Sequence, residues 1–370
     1  MPLTDIDAQR LGDSVADKLG NRNLIINGAM NLAQRGTTSS SSTGYCSLDR
    51  FTVDADQGAW EFNQEDLSSG DPYNLGFRHF ARLKNTTVTT NNGRRRKFMQ
   101  LIEAQNVAQS GWNYTSSSSF VTFSFWVRSS VAGTYYFSLQ TQDQSPQKAF
   151  IFGKTLVANT WTKVEQAIPG DSSLVVNNDI GSGLRAIFSV DHGTTFTGSV
   201  TLDQWGNFNN NIRNPDTTTG WSNTLNATFD VTGVQLEVGN TATPFEHVSF
   251  GDELHRCKRY FEKRSFDTNT YEPICVGTVP GTSTNSTLKG VVYYEVVKRV
   301  APTITSSAAS TFRRNGAGIA DAQATGLTIN QISDMAHQLE VVQNNQTSGY
   351  SGWIGRQDAS TTFINYDAEL

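Results

Sequence analysis

Charge is scarce in this chain, and so are cysteine and long apolar runs; each shortage closes off a class of protein. Only 17% of the 370 residues are Asp, Glu, Lys or Arg, and they sum to a net charge of −5. Such a chain carries no field that would gather a polyphosphate, so nucleic acid is not an expected partner. The three cysteines, Cys46, Cys257 and Cys275, are odd in number, far apart and without a C-x-x-C pair. They suggest neither a disulfide framework nor a zinc site, and buried free thiols are the expectation. No apolar stretch approaches the roughly 20 residues that cross a bilayer as a helix. The opening MPLTDIDAQR also lacks the charged and apolar regions of a secretory signal. Synthesis in a cytoplasm and no membrane insertion follow as expectations. His79, His192, His247, His255 and His337 are scattered, and the spacing of His247 and His255 is not that of a metal pair. Neither a metal nor another cofactor is expected. G-x-S-x-G, P-loop and H-E-x-x-H signatures are missing, as are the repeated short strand units of a β-helix. Carboxylates that could oppose each other across a groove are plentiful (Glu61, Glu65, Asp66, Asp143, Asp191, Asp203, Asp216), and no local motif singles out a pair. The expectation is that the chain is not an enzyme.

What is present is Ser, Thr, Asn and Gly, with 11% aromatics gathered in runs such as Phe120 to Val127 and Tyr135 to Phe137. Few helix formers and many β-branched or aromatic residues predict an all-β architecture. The length exceeds what one core usually serves, so two structural units are expected. Four segments separate. Residues 1–22 hold an anchor helix, with Ile6, Ala8, Leu11, Val15 and Leu19 at spacings near three and four and Thr4 and Asp7 as a modest cap. Residues 23–250 read as a jelly-roll β-sandwich of about nine strands: Arg50 to Val53, Phe98 to Glu103, Phe120 to Arg128, Thr134 to Thr141, Trp161 to Ala167, Leu184 to Val190, Ser199 to Trp205 and Thr228 to Val238 are the clearest. Residues 251–264 read as a linker helix from Glu253 to Lys263, with Leu254, Cys257 and Phe261 as its apolar stripe. Residues 265–370 read as a smaller C-terminal β-sandwich, with strands at Val291 to Val297, Leu327 to Ile332, Gln338 to Gln343, Gly349 to Gly355 and Thr361 to Tyr366.

Candidate ligand residues lie in the polar connections. The stretch NFNNNIRNPDTTTGWSNTLN, residues 207–226, sets a tryptophan among amides and hydroxyls. Ring faces stack on the C–H surfaces of sugars while amides and carboxylates bond the hydroxyls. The candidate glycan-binding set is Trp112, Tyr114, Trp205, Asp216 and Trp221, with Arg94 to Arg96 available to an acidic sugar. The competing reading is that these rings pack at the core edge. The basic run Gly93 to Lys97 is either an anion-binding patch or a solvated loop. Thr37 to Thr43 and Ser116 to Ser119 read as loop tips.

NLIINGAMNLAQRGTT (residues 23–38), SLDRF (47–51), FSFWVRSSVAGTYYFSL (123–139), GVQLEVG (233–239), TPFEH (243–247) and ELHRCKRYFEK (253–263) occur in one order, and the chain closes on DAEL. Together they resemble a family of bacteriophage tail fibre and related virion proteins, and residues 23–237 are similar, more loosely, to the jelly rolls of carbohydrate-binding modules. Phe51 stands where the family commonly has Trp, and Phe250 where many relatives have Tyr; both keep an aromatic. The resemblance implies a virion protein, made in a host cytoplasm and placed in the tail, that binds host surface glycan and other virion proteins as a homotrimer. The alternative it leaves is a purely structural component, such as a tail adaptor, fibre connector or head decoration.

Overall fold

Alternation of apolar and polar residues builds the first layer. In β5 (Phe120–Ser129) Val121, Phe123, Phe125 and Val127 are wholly buried, while Trp126 on the other face is half-buried. Two faces of unequal burial are what one sheet of a sandwich requires. The computed structural model describes residues 22–216, 219–266, 272–280, 287–316, 319–342, 349–356 and 362–370. The expected helix at 4–19 lies outside the described residues. The chain divides into two compact units, the first ending at Glu253 and the second running from Leu254 to Glu369.

The first unit is an antiparallel two-sheet sandwich. Its strands are β1 (Phe51–Asp56), β2 (Trp60–Asp66), β3 (His79–Asn85), β4 (Arg95–Glu103), β5, β6 (Gly133–Thr141), β7 (Lys148–Leu156), β8 (Thr162–Pro169), β9 (Ser182–His192), β10 (Trp205–Asn207) and β11 (Thr228–Val238). One sheet runs β1-β4-β9-β6-β7-β10 and the other β2-β3-β11-β5-β8. Between them lies a core of rings: Phe98 stacks on Phe188 at 4.9 Å, and Phe125 meets Phe188 at 5.0 Å and Phe137 at 4.7 Å. The order of strands is that of a jelly roll with long crossings. β2, β3 and β7 are not among the strands expected from the sequence: WEFNQED and HFARLKN are polar enough to pass for loop, whereas β7, KAFIFGKTL, carries an apolar run that the expectation passed over. Of the expected strand from Ser199 to Trp205 only Trp205 is in a strand, as the first of the three residues of β10. The segment before it is held instead by single contacts such as Asp203 N–H to the Ile151 carbonyl, 2.8 Å.

The shared motifs act as fasteners. Asn23 receives the backbone N–H groups of Ile25 and Leu236 on its side-chain oxygen, each at 3.0 Å, and donates to the Val234 carbonyl at 3.1 Å. Asn27, at a left-handed φ of 62°, accepts from Leu32 N–H and donates to the Leu32 and Asp49 carbonyls. A Cβ on Gly28 would stand 2.1 Å from the Val234 oxygen, so no other residue fits there. The Arg50 guanidinium, 1% exposed, donates to the Leu101 carbonyl at 2.7 Å. These residues stitch the entry of the chain to β11 and β4, which is fold work.

A helix, α1, spans Phe250–Lys258, opened by Ser249, whose hydroxyl oxygen accepts from Asp252 N–H at 3.2 Å. It is shorter than the sequence predicts. After Lys258 the chain turns and Phe261 enters a strand, β12 (Phe261–Phe266). Pairing explains the difference: Phe261 lies opposite Asp367 in a ladder to the last strand, which gives its backbone cross-strand bonds while its ring is buried, 4% exposed. Cys257, 1% exposed, is a buried apolar group.

The second unit is a smaller β-sandwich. A three-stranded sheet joins β12, β15 (Thr303–Ser306) and β21 (Thr362–Asp367) in the order β12-β21-β15. A seven-stranded sheet carries β13 (Pro273–Thr278), β14 (Thr287–Tyr293), β16 (Phe312–Gly316), β17 (Ile319–Gln323), β18 (Gly326–Asn330), β19 (Ala336–Val342) and β20 (Ser351–Arg356). The core between them holds Leu288, Val292, Leu339, Val341, Ile354, Ile364 and Tyr366. At its edge an ion pair is wholly buried: Lys298 Nζ donates to Glu262 at 2.5 Å, and both side chains are 0% exposed.

Candidate functional site

β11 presents Gln235 and Glu237 on the outer face of the five-stranded sheet, where both are buried by a strap of chain that follows the strand. Glu237 accepts from Thr243 N–H at 2.8 Å, from the Thr243 hydroxyl at 2.6 Å and from the Gln235 amide at 2.8 Å. Gln235 in turn accepts from Glu246 N–H at 2.8 Å. The strap Thr243-Pro244-Phe245-Glu246-His247 is thereby pinned across the sheet, and Phe245 and His247 come to stand beside it.

Those two residues form one wall of a cleft of about 400 Å³. Its floor is Ser124, Trp126 and Gly233, its far wall Leu75 and Phe77, and Lys163 closes one end. Gly233 sits in a bulge of β11 at a φ of +62°, and a Cβ there would meet the Phe77 ring at 2.7 Å. The floor is therefore shaped by the absence of a side chain. Phe77 packs edge-on to Phe245 at 4.8 Å and lies 5.1 Å from the His247 ring, whose Nε2 is 3.0 Å from the Leu75 carbonyl oxygen. Lys163 Nζ pairs with Glu165 at 2.5 Å and lies opposite Trp126 in the ladder of β5 and β8.

A cationic row borders the cleft. Asp230, 1% exposed on its side chain, takes Arg82 at 2.8 Å and Arg128 at 2.7 Å. The hydrogen bonds to Asp230 raise the Arg82 pKa above its ordinary value. The Arg128 guanidinium lies 4.6 Å from the centre of the Trp161 ring, which meets Phe80 edge-on at 5.7 Å. Ring, cation and buried carboxylate alternate along this face.

The five residues expected to form a glycan surface are divided by the structure. Trp112 is 3% exposed, and its indole N–H donates to the Ser119 carbonyl at 3.3 Å. Trp221 is 0% exposed and donates to the Thr228 carbonyl at 3.2 Å. Neither ring has a face open to a ligand; both plug the sandwich core from its loops. Tyr114 is half-buried against that core, with its hydroxyl donating to the Val176 carbonyl at 3.2 Å. Trp205 is half-buried too, edge-on to Phe150 at 5.8 Å and bonded to the Pro169 carbonyl at 2.7 Å. Asp216 is exposed and accepts from the Thr197 hydroxyl.

The basic run is occupied within the fold: Gly93 and Arg94 lie in the turn before β4, and Arg95 to Lys97 open the strand itself. Arg94 pairs with Asp191 at 2.8 Å, and Arg95 with Asp54 at 3.3 Å. Arg96 is 0% exposed, bonded to the Asp56 and Gln57 carbonyls, and burial pushes its pKa down to about 10. The carboxylates weighed for hydrolysis are similarly dispersed: Glu61 pairs with Lys84, Asp66 with His79, and Asp191 is committed to Arg94. Among the described residues no group of three or more His, Cys, Asp or Glu is placed to hold a metal ion.

No family model matches this chain, and no curated protein matches it by sequence. The resemblance to phage tail fibre proteins rests on its motifs alone. Solved structures do match in shape. One is the enzymatically active domain of tailspike protein 4 of bacteriophage CBA120 (TM-score 0.33, 12% identity), covering 59% of this chain and 22% of that one. Another is the family 11 carbohydrate-binding module of Clostridium thermocellum in complex with a β-1,3-1,4-mixed-linked tetrasaccharide (TM-score 0.27, 10% identity, 57% of this chain and 98% of that one). A third is TmCBM61 in complex with β-1,4-galactotriose (TM-score 0.27, 8% identity, 60% and 100%). The chain thus spans about a fifth of the tailspike chain it matches. Likenesses at these scores carry no functional argument.

Proposed function

We propose that this chain is a noncatalytic virion protein of a phage tail fibre or tail tip, and that its first unit binds a host surface glycan in the cleft of Trp126. The virion context is supported by the ordered motifs of residues 23–263. The single observation that carries the glycan reading is the cleft itself, about 400 Å³ with Trp126, Phe77 and Phe245 around Ser124, Lys163 and His247. Pockets of roughly 300 to 1,000 Å³ that set a few polar groups among rings are the usual form of a small-ligand site. Ring faces take the C–H side of a sugar, and the ammonium and imidazole take its hydroxyls. A shallow site of this kind binds weakly, and repetition of the chain on a virion, as a homotrimer, supplies avidity.

The test is binding of Trp126→Ala and Lys163→Ala to a glycan array and adsorption of particles carrying them. A lost stacking contact of about 1.4 kcal/mol lowers affinity about tenfold. Unchanged binding in both variants, with melting temperatures preserved, would remove the cleft from the function. A purely structural virion role is the second reading, and the burial of Trp112 and Trp221 in the core favours it. In that case the array stays blank for the wild-type protein and the chain binds only virion partners.

A further inference from the structure

The opposite sheet carries a hollow that the cleft reading does not use. After β9 the chain folds back over the outer face of the six-stranded sheet and is tied at two places to β7 and the residue before it: Asp203 N–H donates to Ile151 O at 2.8 Å and Phe208 N–H to Gln147 O at 2.7 Å, while Gly198 N–H to Asn214 O at 3.2 Å closes the segment on itself. Val200, Leu202 and Phe208 pack there on Tyr136, Ala149 and Ile151. A depression of about 230 Å³ remains, floored by Ala149 and Ile151 and rimmed by Ser199, Thr201, Gln204 and Asn207.

The rim is made of exposed polar side chains: Ser199, Thr201, Gln204 and Asn207. Neighbouring amides are spent: Asn209 accepts from Asn211 N–H at 2.9 Å, and Asn210 accepts from Arg213 at 2.7 Å. Among the described residues, no protein group bonds the side chains of Ser199, Thr201, Gln204 or Asn207. No charged side chain lines the hollow. Hydroxyls and carboxamides around an apolar floor match a ring that is C–H on one side and O–H on the other. An ionised group entering it would lose hydration and meet no cation. The volume lies below the roughly 300 to 1,000 Å³ usual for a small-ligand site, so it has room for no more than one ring. The edge beside Gly206 is open, since a Cβ there would meet nothing within 4 Å.

We infer that this hollow is a second carbohydrate subsite, taking a single uncharged sugar ring. It lies on the other outer face of the sandwich from the Trp126 cleft. The two sites engage separate sugars and can fail separately.

The experiment is a titration of ¹⁵N-labelled full-length protein with the methyl glycosides of glucose, galactose, mannose and N-acetylglucosamine, and with methyl glucuronide. Expected are saturable shifts at millimolar concentration in the Gln204 and Asn207 side-chain amides with at least one neutral glycoside, and none with the glucuronide. In the exposed-surface double variant Gln204→Ala, Asn207→Ala the shifts of neighbouring backbone amides at Ser199 and Gly206 should vanish, while signals near Trp126 respond as in the wild type. The proposal is overturned if no neutral glycoside moves these amides, if the glucuronide moves them equally, or if the neighbouring shifts survive the double substitution. Loss of response at Trp126 alone would sink the cleft reading and leave this one standing.

Discussion

Acid should loosen the second unit, and His337 sets the window. Its side chain is 1% exposed, 5.7 Å from the Tyr294 ring and 5.4 Å from the Tyr366 ring. Among the described residues neither ring nitrogen has a hydrogen-bond partner. Burial first, and the Arg264 charge second, push its pKa down to about 4 from 6.5. A depressed histidine pKa means that the fold favours the neutral ring. Its contribution is therefore complete above pH 6.5, falls as the pH drops from 6.5 toward 4, and is gone below. At 1.36 kcal/mol per pH unit the loss over this window is about 3 kcal/mol, a large part of a domain's usual 5 to 15 kcal/mol. Glu295, whose carboxyl the Lys258 ammonium holds below the usual range, adds its own loss only at lower pH. Chemical denaturation between pH 7.5 and 4, followed by hydrogen exchange in β14 and β19, should show this slope in the wild type. His337→Phe keeps a ring in the core and removes the titration, so its curve should be flatter by about 3 kcal/mol across the window. Parallel curves for the two proteins would refute the reasoning.

Two further outcomes are expected. Glu237→Gln leaves the strap with one acceptor fewer and no charge; we expect a stability loss of about 2 kcal/mol, faster hydrogen exchange from Thr241 to His247 and weaker glycan binding as the Phe245 wall loosens. Exchange unchanged in that segment would show that the strap is held by other means. Light scattering of the purified protein should give a homotrimer, as the motif resemblance implies, and a stable monomer at micromolar concentration counts against it.

The all-β architecture was legible because it is written locally. Val121, Phe123, Phe125 and Val127 alternate within one strand, and a period of two needs no distant residue to be read. The same alternation put Trp126 on the outer face. Cys257 was legible as a buried apolar group for a similar reason, its place on the stripe of a short helix. Where the helix stops was not, because Phe261 is drawn into a ladder with a strand about a hundred residues later. No local signal carries that pairing.

Ligand residues were the least legible part, and the tryptophans show why. Trp112 and Trp221 sit in polar loops, where the sequence context favours exposure, yet the sandwich has open ends and the nearest large ring fills them. Burying such a side chain is worth roughly 1.5 to 3 kcal/mol, more than the loop gains by displaying it. The cleft, in turn, joins Gly233 in a bulge, Phe77 just ahead of β3 and Phe245 on a strap fixed by Glu237. Sequence alone determined that the chain forms strands and which face of each strand is apolar, since both follow from neighbours two residues apart. Only the tertiary structure decided which rings stay open to a ligand, because that depends on what packs against them from elsewhere in the chain.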